Sequence, residues 1–253
     1  MSIILDESKL IAARPTKRLY HIGDHVVKVF DENYSKSDVL NEALNQSRVE
    51  NCELFVPKIQ EVMKVDGKWA IVYDYVEGET LSSLMSAYPE KDDEYLRLFV
   101  RLQAEVHSKT IPLLSKLRDK MTRKIGESPI PSDLKFELHI RLNSQPSGAT
   151  LCHGDFNPSN IIISNNGDAY ILDWAHATQG NREADVARTF LLFSLDKGKD
   201  YAEKYLDTFV SLAFVSKKVV YGWVPIVAAS QLVKRKPEER DFLLSFASVF
   251  EYE

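Results

Sequence analysis

The apolar and polar residues at the start of this chain follow the period of two that is typical of strands. Residues 17–22 and 25–30 are strand-like, and Gly23-Asp24 lies between them. This pattern predicts two strands joined by a tight turn. A further apolar run over residues 70–76 predicts a buried strand that ends before Gly78. The N-terminal part of the chain is therefore predicted to form a small sheet.

After this region the period changes to about 3.6 residues, which is typical of amphipathic helices. The clearest helix is predicted over residues 92–108, where one apolar face repeats at helical spacing: Tyr95, Leu98, Phe99, Leu102 and Val106. An earlier helix is predicted over residues 36–47. Later repeats predict helices near 114–121 and 134–142, and over 182–195, 200–215, 217–234 and 238–250. Most of the chain is thus predicted to be helical.

The strongest hairpin signal lies within residues 160–172. Two apolar runs there flank Asn165-Asn166-Gly167-Asp168, and Asn-Gly between such runs favours a tight turn. Asp155 and Asn160 lie on the segment that enters the hairpin, and Asp173 leaves it. Because a hairpin brings its ends together, we expect these side chains to cluster. Carboxylate and amide oxygens suit Mg²⁺, which completes its shell with water and phosphate oxygens.

The same residues carry a resemblance to a known family. The stretch His153-Gly154-Asp155, followed by Asn160 and, 13 residues later, by Asp173, resembles the catalytic core of the aminoglycoside phosphotransferase and choline kinase-like family. Protein kinases have Arg at the position of the glycine in this stretch, and Phe at the position of Trp174. Both differences favour the branch of the family that acts on small molecules.

The resemblance implies an α+β, protein-kinase-like fold with two lobes. Residues 1–76 would form a small β-sheet lobe with one main helix, and residues 77–253 a larger, mostly helical lobe, with the nucleotide in the cleft. The implied reaction transfers the γ-phosphoryl group of ATP or GTP to a hydroxyl group of a small molecule. Asp155 would orient that hydroxyl and accept its proton, while Asn160 and Asp173 would bind Mg²⁺.

Four further residues have supporting roles in this resemblance. Lys28, inside a predicted strand, would neutralise phosphate charge, and Glu42 on the helix over residues 36–47 would orient it. His153 and Asp185 would support the catalytic loop. From the residues alone, Lys28 could be an exposed edge-strand lysine, and Asp185 an acidic residue favoured by the helix dipole.

Two loops are predicted to contact the nucleotide. Relatives often have a glycine-rich turn over the phosphates, whereas residues 13–17 contain no glycine. We therefore expect Thr16, Lys17 or less intimate contacts to take the place of the glycines. The segment after the predicted strand over residues 70–76 is similar to the hinge between the lobes. In the hinge, the carbonyl of Asp74 and the amide of Val76 would bind the adenine.

The bulk composition narrows the function classes. The chain of 253 residues has 32 basic and 37 acidic side chains and a net charge of −5, so we do not expect a nucleic-acid partner. Cys52 and Cys152 lack the spacing of a metal site, which favours a reduced cytoplasm. No apolar run approaches the roughly 20 residues of a membrane span. We expect a cytoplasmic monomer or weak dimer that does not act on membranes.

The sequence leaves the acceptor open among aminoglycosides, choline or ethanolamine, sugars, nucleosides, homoserine and thiamine. The basic stretch over residues 116–124 is predicted to be a solvated helix face. Four acidic residues could contact a cationic acceptor, although basic residues are interspersed with several of them: Asp207, Glu238, Glu239 and Asp241. Two other functions stay open, a nucleotide-binding protein without transfer activity and a metal-dependent hydrolase that uses His153, Asp155 and Asp173.

Overall fold

The computed structural model describes residues 3–248. Its strands are β1 Leu10–Arg14, β2 Lys17–Ile22, β3 His25–Phe30, β4 Ile59–Val65, β5 Lys68–Asp74, β6 Gly78–Thr80, β7 Thr150–Cys152, β8 Ile161–Ser164, β9 Ala169–Ile171 and β10 Thr178–Gly180. Its helices are α1 Lys36–Val49, α2 Leu81–Ala87, α3 Asp92–His107, α4 Leu117–Glu127, α5 Ser132–Ser144, α6 Arg182–Asp196, α7 Lys199–Ala213, α8 Lys217–Gln231 and α9 Pro237–Ala247. The predicted helix over residues 238–250 corresponds to α9, and its last two residues lie outside the described residues.

The contacts between residues divide the chain into two compact units. The first unit contains the described residues up to Ser86 together with Ser159–His176. The second contains Ala87–Pro158 and the described residues from Ala177 onwards. The predicted lobes, residues 1–76 and 77–253, are a separate and functional division of the chain, and they remain a prediction.

A five-stranded antiparallel sheet forms the centre of the first unit. Its strand order is β1-β2-β3-β5-β4. β2 and β3 pair from Lys17 opposite Phe30 to Ile22 opposite His25. Gly23, in the turn between them, has a φ of 59°, a left-handed conformation that glycine adopts at little cost. This pair reproduces the strands and turn that the period-two pattern predicts.

The two faces of β3 have different environments. Val27 and Val29 pack into one apolar cluster, whereas Phe30 packs against Val39 of α1 in another. Because side chains alternate along a strand, Lys28 shares a face with Phe30. The lysine therefore lies on the side of the sheet that α1 covers.

The predicted hairpin is also part of the first unit. β8 pairs with β9, with Ile161 opposite Ile171, and β6 adds to the other edge of β8. Gly167 closes the turn with a φ of 88°. Gly78 begins β6 so close to β8 that a Cβ atom at this position would collide with the backbone of Ile163. The apolar runs and the Asn-Gly signal thus fold as the sequence indicates.

The second unit consists mainly of helices. β7 and β10 form a short antiparallel ribbon, while α6 packs against α7 and α8, and α8 packs against α9. Large side chains that are fully buried fill its interior, among them Phe99, Phe156, Tyr205 and Trp223. Within residues 3–248, no helix is long and apolar enough to cross a membrane.

The pattern of apolar and polar residues does not predict several of the strands. β6, β7 and β10 contain three residues each, which is too short for a period of two to be detected. β1 has the sequence Leu-Ile-Ala-Ala-Arg, and both β1 and β4 shift register against their partners. Their membership of the sheet follows from pairing with β2 and β5.

Candidate active site

Lys28 is a buried cation held between two carboxylates. Its Nζ lies 2.5 Å from Oε1 of Glu42 and 3.1 Å from Oδ1 of Asp173. The residue is only 6% exposed. Burial lowers the pKa of the Lys28 ammonium, but the charges of Asp173 and Glu42 outweigh it and raise that pKa well above the usual value. The lysine is therefore a fixed positive charge, and the alternative of an exposed edge-strand lysine is wrong.

Glu42 organises the same group of charges from α1. Its Oε2 accepts a hydrogen bond of 2.8 Å from Lys17 Nζ while its other oxygen contacts Lys28. Asn45, one turn further along α1, donates to the carbonyl of Ala175, two residues after Asp173. The helix thereby fixes both the strand that carries the lysine and the segment that carries the aspartate.

The two ends of the hairpin meet as the sequence predicts. The amide of Leu172 donates a 2.8 Å hydrogen bond to the carbonyl of Asn160. The next residue, Asp173, has a left-handed φ of 59°, which is uncommon outside glycine. Its side chain is 39% exposed, so the carboxylate is accessible although it contacts Lys28. A backbone held in such a conformation is typical of functional sites.

The donors at this position fit a magnesium site completed by phosphate. Asn160 offers an amide oxygen and Asp173 a carboxylate, the ligand set that Mg²⁺ uses beside nucleotide phosphates. Within residues 3–248, no group of three or more His, Cys, Asp and Glu side chains could hold a metal ion. The pair would therefore depend on phosphate oxygens and water for the remaining ligands.

Asp155 lies in the second unit, next to a buried arginine. Its Oδ1 accepts a hydrogen bond of 3.0 Å from Nη2 of Arg188, which lies on α6 and is 6% exposed. The backbone amide of Asp155 donates to Nδ1 of His153 at 3.2 Å. Both contacts restrict the carboxylate, and its side chain remains 29% exposed. The carboxylate is thus held in place and still accessible to a substrate.

Asp185 holds the backbone that precedes Asp155. Its Oδ1 accepts from the amide of Gly154 at 2.6 Å, and its Oδ2 accepts from the amide of His153 at 3.1 Å. Nε2 of His107 contacts the same Oδ2 at 3.0 Å. Burial raises the pKa of the Asp185 carboxyl, but these contacts outweigh it, so the pKa lies below the usual value. The side chain is therefore a buried carboxylate.

The remaining predicted residues lie in loops of the first unit. Thr16 is exposed in the turn between β1 and β2, and its carbonyl accepts a hydrogen bond from Asp31. Asp74 ends β5, and its side chain accepts a hydrogen bond of 2.6 Å from Gln60. Val76 follows two residues later and is partly buried. The nucleotide contacts of these residues stay predictions.

Residues 17–214 match the phosphotransferase enzyme family, APH. The chain belongs to this family. A comparison with curated proteins finds no match. The predicted family and its class of enzyme, a phosphotransferase, are therefore confirmed.

Solved structures give the same result for the fold of this phosphotransferase. Aminoglycoside phosphotransferase APH(4)-Ia has a TM-score of 0.67 at 14% identity, over 94% of this chain and 89% of that one. Choline kinase LicA from Streptococcus pneumoniae has a TM-score of 0.64 at 15% identity, over 95% and 92%. The ternary complex of APH(2″)-IIa with streptomycin and ATP has a TM-score of 0.60 at 14% identity, over 95% and 90%. The predicted α+β, kinase-like fold is confirmed.

Several charged residues of this phosphotransferase have no role in the sequence analysis. Arg188 has a detectable signal, since it lies three residues after Asp185 and so on the same side of α6. The basic stretch over residues 116–124 also contains charged residues to which the sequence analysis gives no role. Lys120 and Lys124 are partly buried, so the prediction of a wholly solvated face is wrong for them. The two lysines are four residues apart, and each directly precedes a buried residue, Met121 or Ile125. This spacing is the signal in the sequence that could have indicated their partial burial.

Proposed function

We propose that this protein transfers the γ-phosphoryl group of ATP or GTP to a hydroxyl group of a small molecule. The observation that carries the proposal is the contact of Lys28 with both Glu42 and Asp173. A strand lysine oriented by a helix glutamate, beside an accessible aspartate, is the arrangement that kinase-like enzymes use for nucleotide phosphates. It fits the phosphotransferase family to which the chain belongs.

In this proposal, Lys28 compensates negative charge on the phosphates. The ammonium stays protonated because two carboxylates surround it, and Glu42 fixes its direction. Asn160 and Asp173 would hold Mg²⁺, which would neutralise further phosphate charge. Phosphoryl transfer has a loose transition state, so fixed charges and correct positioning provide most of the catalysis.

Asp155 would act on the acceptor. Its carboxylate orients the acceptor hydroxyl, whose oxygen forms a bond to the γ-phosphorus while the bond between that phosphorus and the bridging oxygen breaks. ADP or GDP leaves with the electron pair of the broken bond, and the hydroxyl proton passes to Asp155. The contact with Arg188 and the support from Asp185 favour one orientation of this carboxylate.

The roles of the two lobes follow from these assignments. Residues 1–76 would bind the nucleotide, with Thr16 near the phosphates and the backbone of Asp74 and Val76 at the adenine. Residues 77–253 would supply the acceptor site. Structurally similar proteins support the proposal that this chain binds a nucleotide. APH(2″)-IIa binds ATP in its complex with streptomycin, and LicA forms a complex with AMP. A cytoplasmic location is proposed from the cysteine content.

Production of ADP and GDP in the presence of Mg²⁺ tests the proposal. We expect stimulation by one acceptor from a panel of hydroxyl compounds, and a loss of about 10²–10⁴-fold in turnover for Asp155→Asn with nucleotide binding retained. Asp133→Asn, at an exposed position of α5, is the matched control and should keep full activity. Full acceptor-dependent activity of the Asp155→Asn variant would refute the assigned role.

One observation favours the alternative of nucleotide binding without transfer. The turn that would cover the phosphates contains no glycine, and Lys17 beside it is paired with Glu42. Saturable Mg²⁺-ATP binding in a thermal-shift assay, without stimulation by any acceptor, would support this alternative. The hydrolase hypothesis predicts phosphate release that is independent of an acceptor. It is disfavoured because His153 is fully buried and bonded to the Asp155 amide.

A further inference from the structure

Four basic side chains of the second unit form a group beside Asp155 and Asp185, and we call them the basic cluster. They are Lys120 and Lys124 on α4, Arg188 on α6, and Lys234 in the short 3₁₀ turn that follows α8. α4 packs against both α8 and this turn. The cluster therefore gathers residues that are distant in sequence around the carboxylate assigned to the acceptor hydroxyl.

The position of the two α4 lysines is unusual for a solvated face. Lys120 and Lys124 are four residues apart and so lie on the same side of the helix. They follow the same spacing as Met121 and Ile125, which are buried. Both lysines are themselves partly buried. Burying lysine ammonium groups next to one another is unfavourable unless something compensates their charge.

The charges of the cluster act on one another. Burial and, after it, the charge of the neighbouring Lys124 lower the pKa of Lys120 to about 7. Burial, followed by the charges of Lys234 and Arg188, lowers the pKa of Lys124 to about 8. The pKa of Lys234 is also lowered, by desolvation and then by Arg188. These groups are close enough to repel, which destabilises the protein in the absence of an anion.

The carboxylates nearby offset this charge only in part, since Asp155 and Asp185 raise the pKa values of the lysines by less than burial and the neighbouring cations lower them. Asp185 is already bonded to His107 and to two backbone amides, and Asp155 is bonded to Arg188. Within residues 3–248, the side chain of Lys124 forms no hydrogen bond or ion pair. The Nε atom of Arg188 is buried and has no hydrogen-bond partner among these described residues. A buried arginine donor without a partner is uncommon in proteins, and a ligand oxygen that reached it would satisfy it.

Three of the four acidic residues considered for a cationic acceptor have basic partners. Asp207 contacts Lys217 at 2.6 Å, and Glu239 contacts Lys236 at 2.6 Å. Asp241 contacts Arg240 at 3.2 Å. These pairs neutralise one another, so among the residues that the structure describes they do not form an acidic surface for a polycation.

We propose that the acceptor carries an anionic group, a carboxylate or a phosphate, which Lys124, Lys234 and Arg188 bind while its hydroxyl contacts Asp155. This inference rests on the proposed phosphotransferase function and specifies the class of its substrate. A carboxylate or phosphate offers several acceptor oxygens to the two ammonium groups and the guanidinium group, and its negative charge offsets their mutual repulsion.

Matched acceptors test the charge directly. ADP production would be compared for glycerol, glycerate and glycerol 3-phosphate, for glucose and glucose 6-phosphate, and for the cations choline and kanamycin. We expect the anionic member of a set to have a KM at least about tenfold lower than its neutral parent, the effect of one charge-assisted hydrogen bond. The carboxylate and phosphate members distinguish the two kinds of anion. Stimulation by choline or kanamycin alone would overturn the inference while leaving phosphotransfer intact.

Substitutions in the basic cluster test whether its side chains bind the anionic group of the acceptor. Lys124→Gln and Lys234→Gln should each raise the KM of the anionic acceptor about tenfold or more and leave the KM of ATP within about twofold. Lys218→Gln, at an exposed position of α8, is the matched control and should change neither. If the α4 and 3₁₀-turn variants raise the KM of ATP instead, the cluster serves the nucleotide and the inference fails.

A binding measurement separates this inference from the proposed function. The protein would be saturated with Mg²⁺ and the ATP analogue AMP-PNP and treated with an amine-acylating reagent, with and without glycerol 3-phosphate or glycerate. We expect either anion to protect Lys124 from acylation and to leave Lys218 unchanged. Protection without turnover of any acceptor would support the anion site and refute transfer. No protection by either anion would overturn the inference.

Discussion

Replacing Asp185 by Asn removes the buried carboxylate that holds the start of the catalytic loop. The Asn side chain has one acceptor oxygen and one NH₂ group, whereas the carboxylate accepts from His107, His153 and Gly154. If the amide oxygen takes the place of Oδ2, the amide of Gly154 faces NH₂. If the amide oxygen takes the place of Oδ1, the amide of His153 faces the NH₂ group. This holds even when His107 changes tautomer. Either orientation leaves one buried backbone donor without an acceptor.

The magnitude follows from these contacts. An unsatisfied buried donor costs about 1–3 kcal/mol. The contacts that remain lose their charge assistance, and charge-assisted hydrogen bonds are about twice as strong as neutral ones. We therefore expect Asp185→Asn to lower the free energy of unfolding by about 2–4 kcal/mol. Turnover should fall by up to about 10²-fold, because a small shift of the neighbouring Asp155 misplaces the carboxylate.

Urea titrations at several pH values measure the effect. The folded-state pKa of Asp185 lies below the unfolded value of about 3.9. Its contribution is therefore fully present above about pH 4 and is lost as the pH falls through the lower folded-state value. The difference in unfolding free energy between the wild type and the Asn variant should be largest near neutral pH and should shrink in this acidic range.

A substitution on the same helix provides the control. Asp196→Asn lies at the exposed end of α6 and should change stability by less than about 0.5 kcal/mol. If Asp185→Asn were as stable as this control at neutral pH, the buried carboxylate would not be holding the loop. The same conclusion would follow if the variant lost stability by an amount that did not depend on pH.

Three substitutions and one chemical modification test separate parts of the structure. Lys28→Met removes charge-assisted contacts worth about 1.5–3 kcal/mol, so the affinity for Mg²⁺-ATP should fall about 10–150-fold in a titration. Gly78→Ala should destabilise the protein in thermal unfolding because its Cβ would strike the backbone of Ile163, whereas Gly126→Ala, which meets open space in a helix, should stabilise it by up to about 1 kcal/mol. Burial raises the pKa of the Cys152 thiol, so iodoacetamide should modify the less buried Cys52 first, and equal rates would contradict this.

The local pattern of the sequence determined much of the first unit. β2, β3 and the β8–β9 hairpin follow from alternating apolar residues and from glycine-containing turns, which are properties of neighbouring residues. The close approach of Asn160 and Asp173 followed as well, because the ends of a hairpin must meet. The short strands β7 and β10 did not follow from the local sequence, since three residues become a strand only when another segment lies beside them.

The charges show a second limit of the sequence. Lys28 and Glu42 were expected to pair because of the family resemblance, but either residue by itself fits an exposed surface equally well. Only the packing of α1 on the sheet buried both and brought them within 2.5 Å. Burial depends on contacts between distant segments, and it is burial that makes an ion pair strong and shifts a pKa.

The basic residues near Asp155 illustrate the same limit in the second unit. In the sequence, Lys124, Arg188 and Lys234 belong to three separate helical segments. Each is of a residue type that is ordinarily found on the surface. The spacing of Asp185 and Arg188 on one side of α6 was readable from the helical period. That these basic groups surround one carboxylate was decided by the tertiary structure, because electrostatic repulsion depends on distance through space and not along the chain.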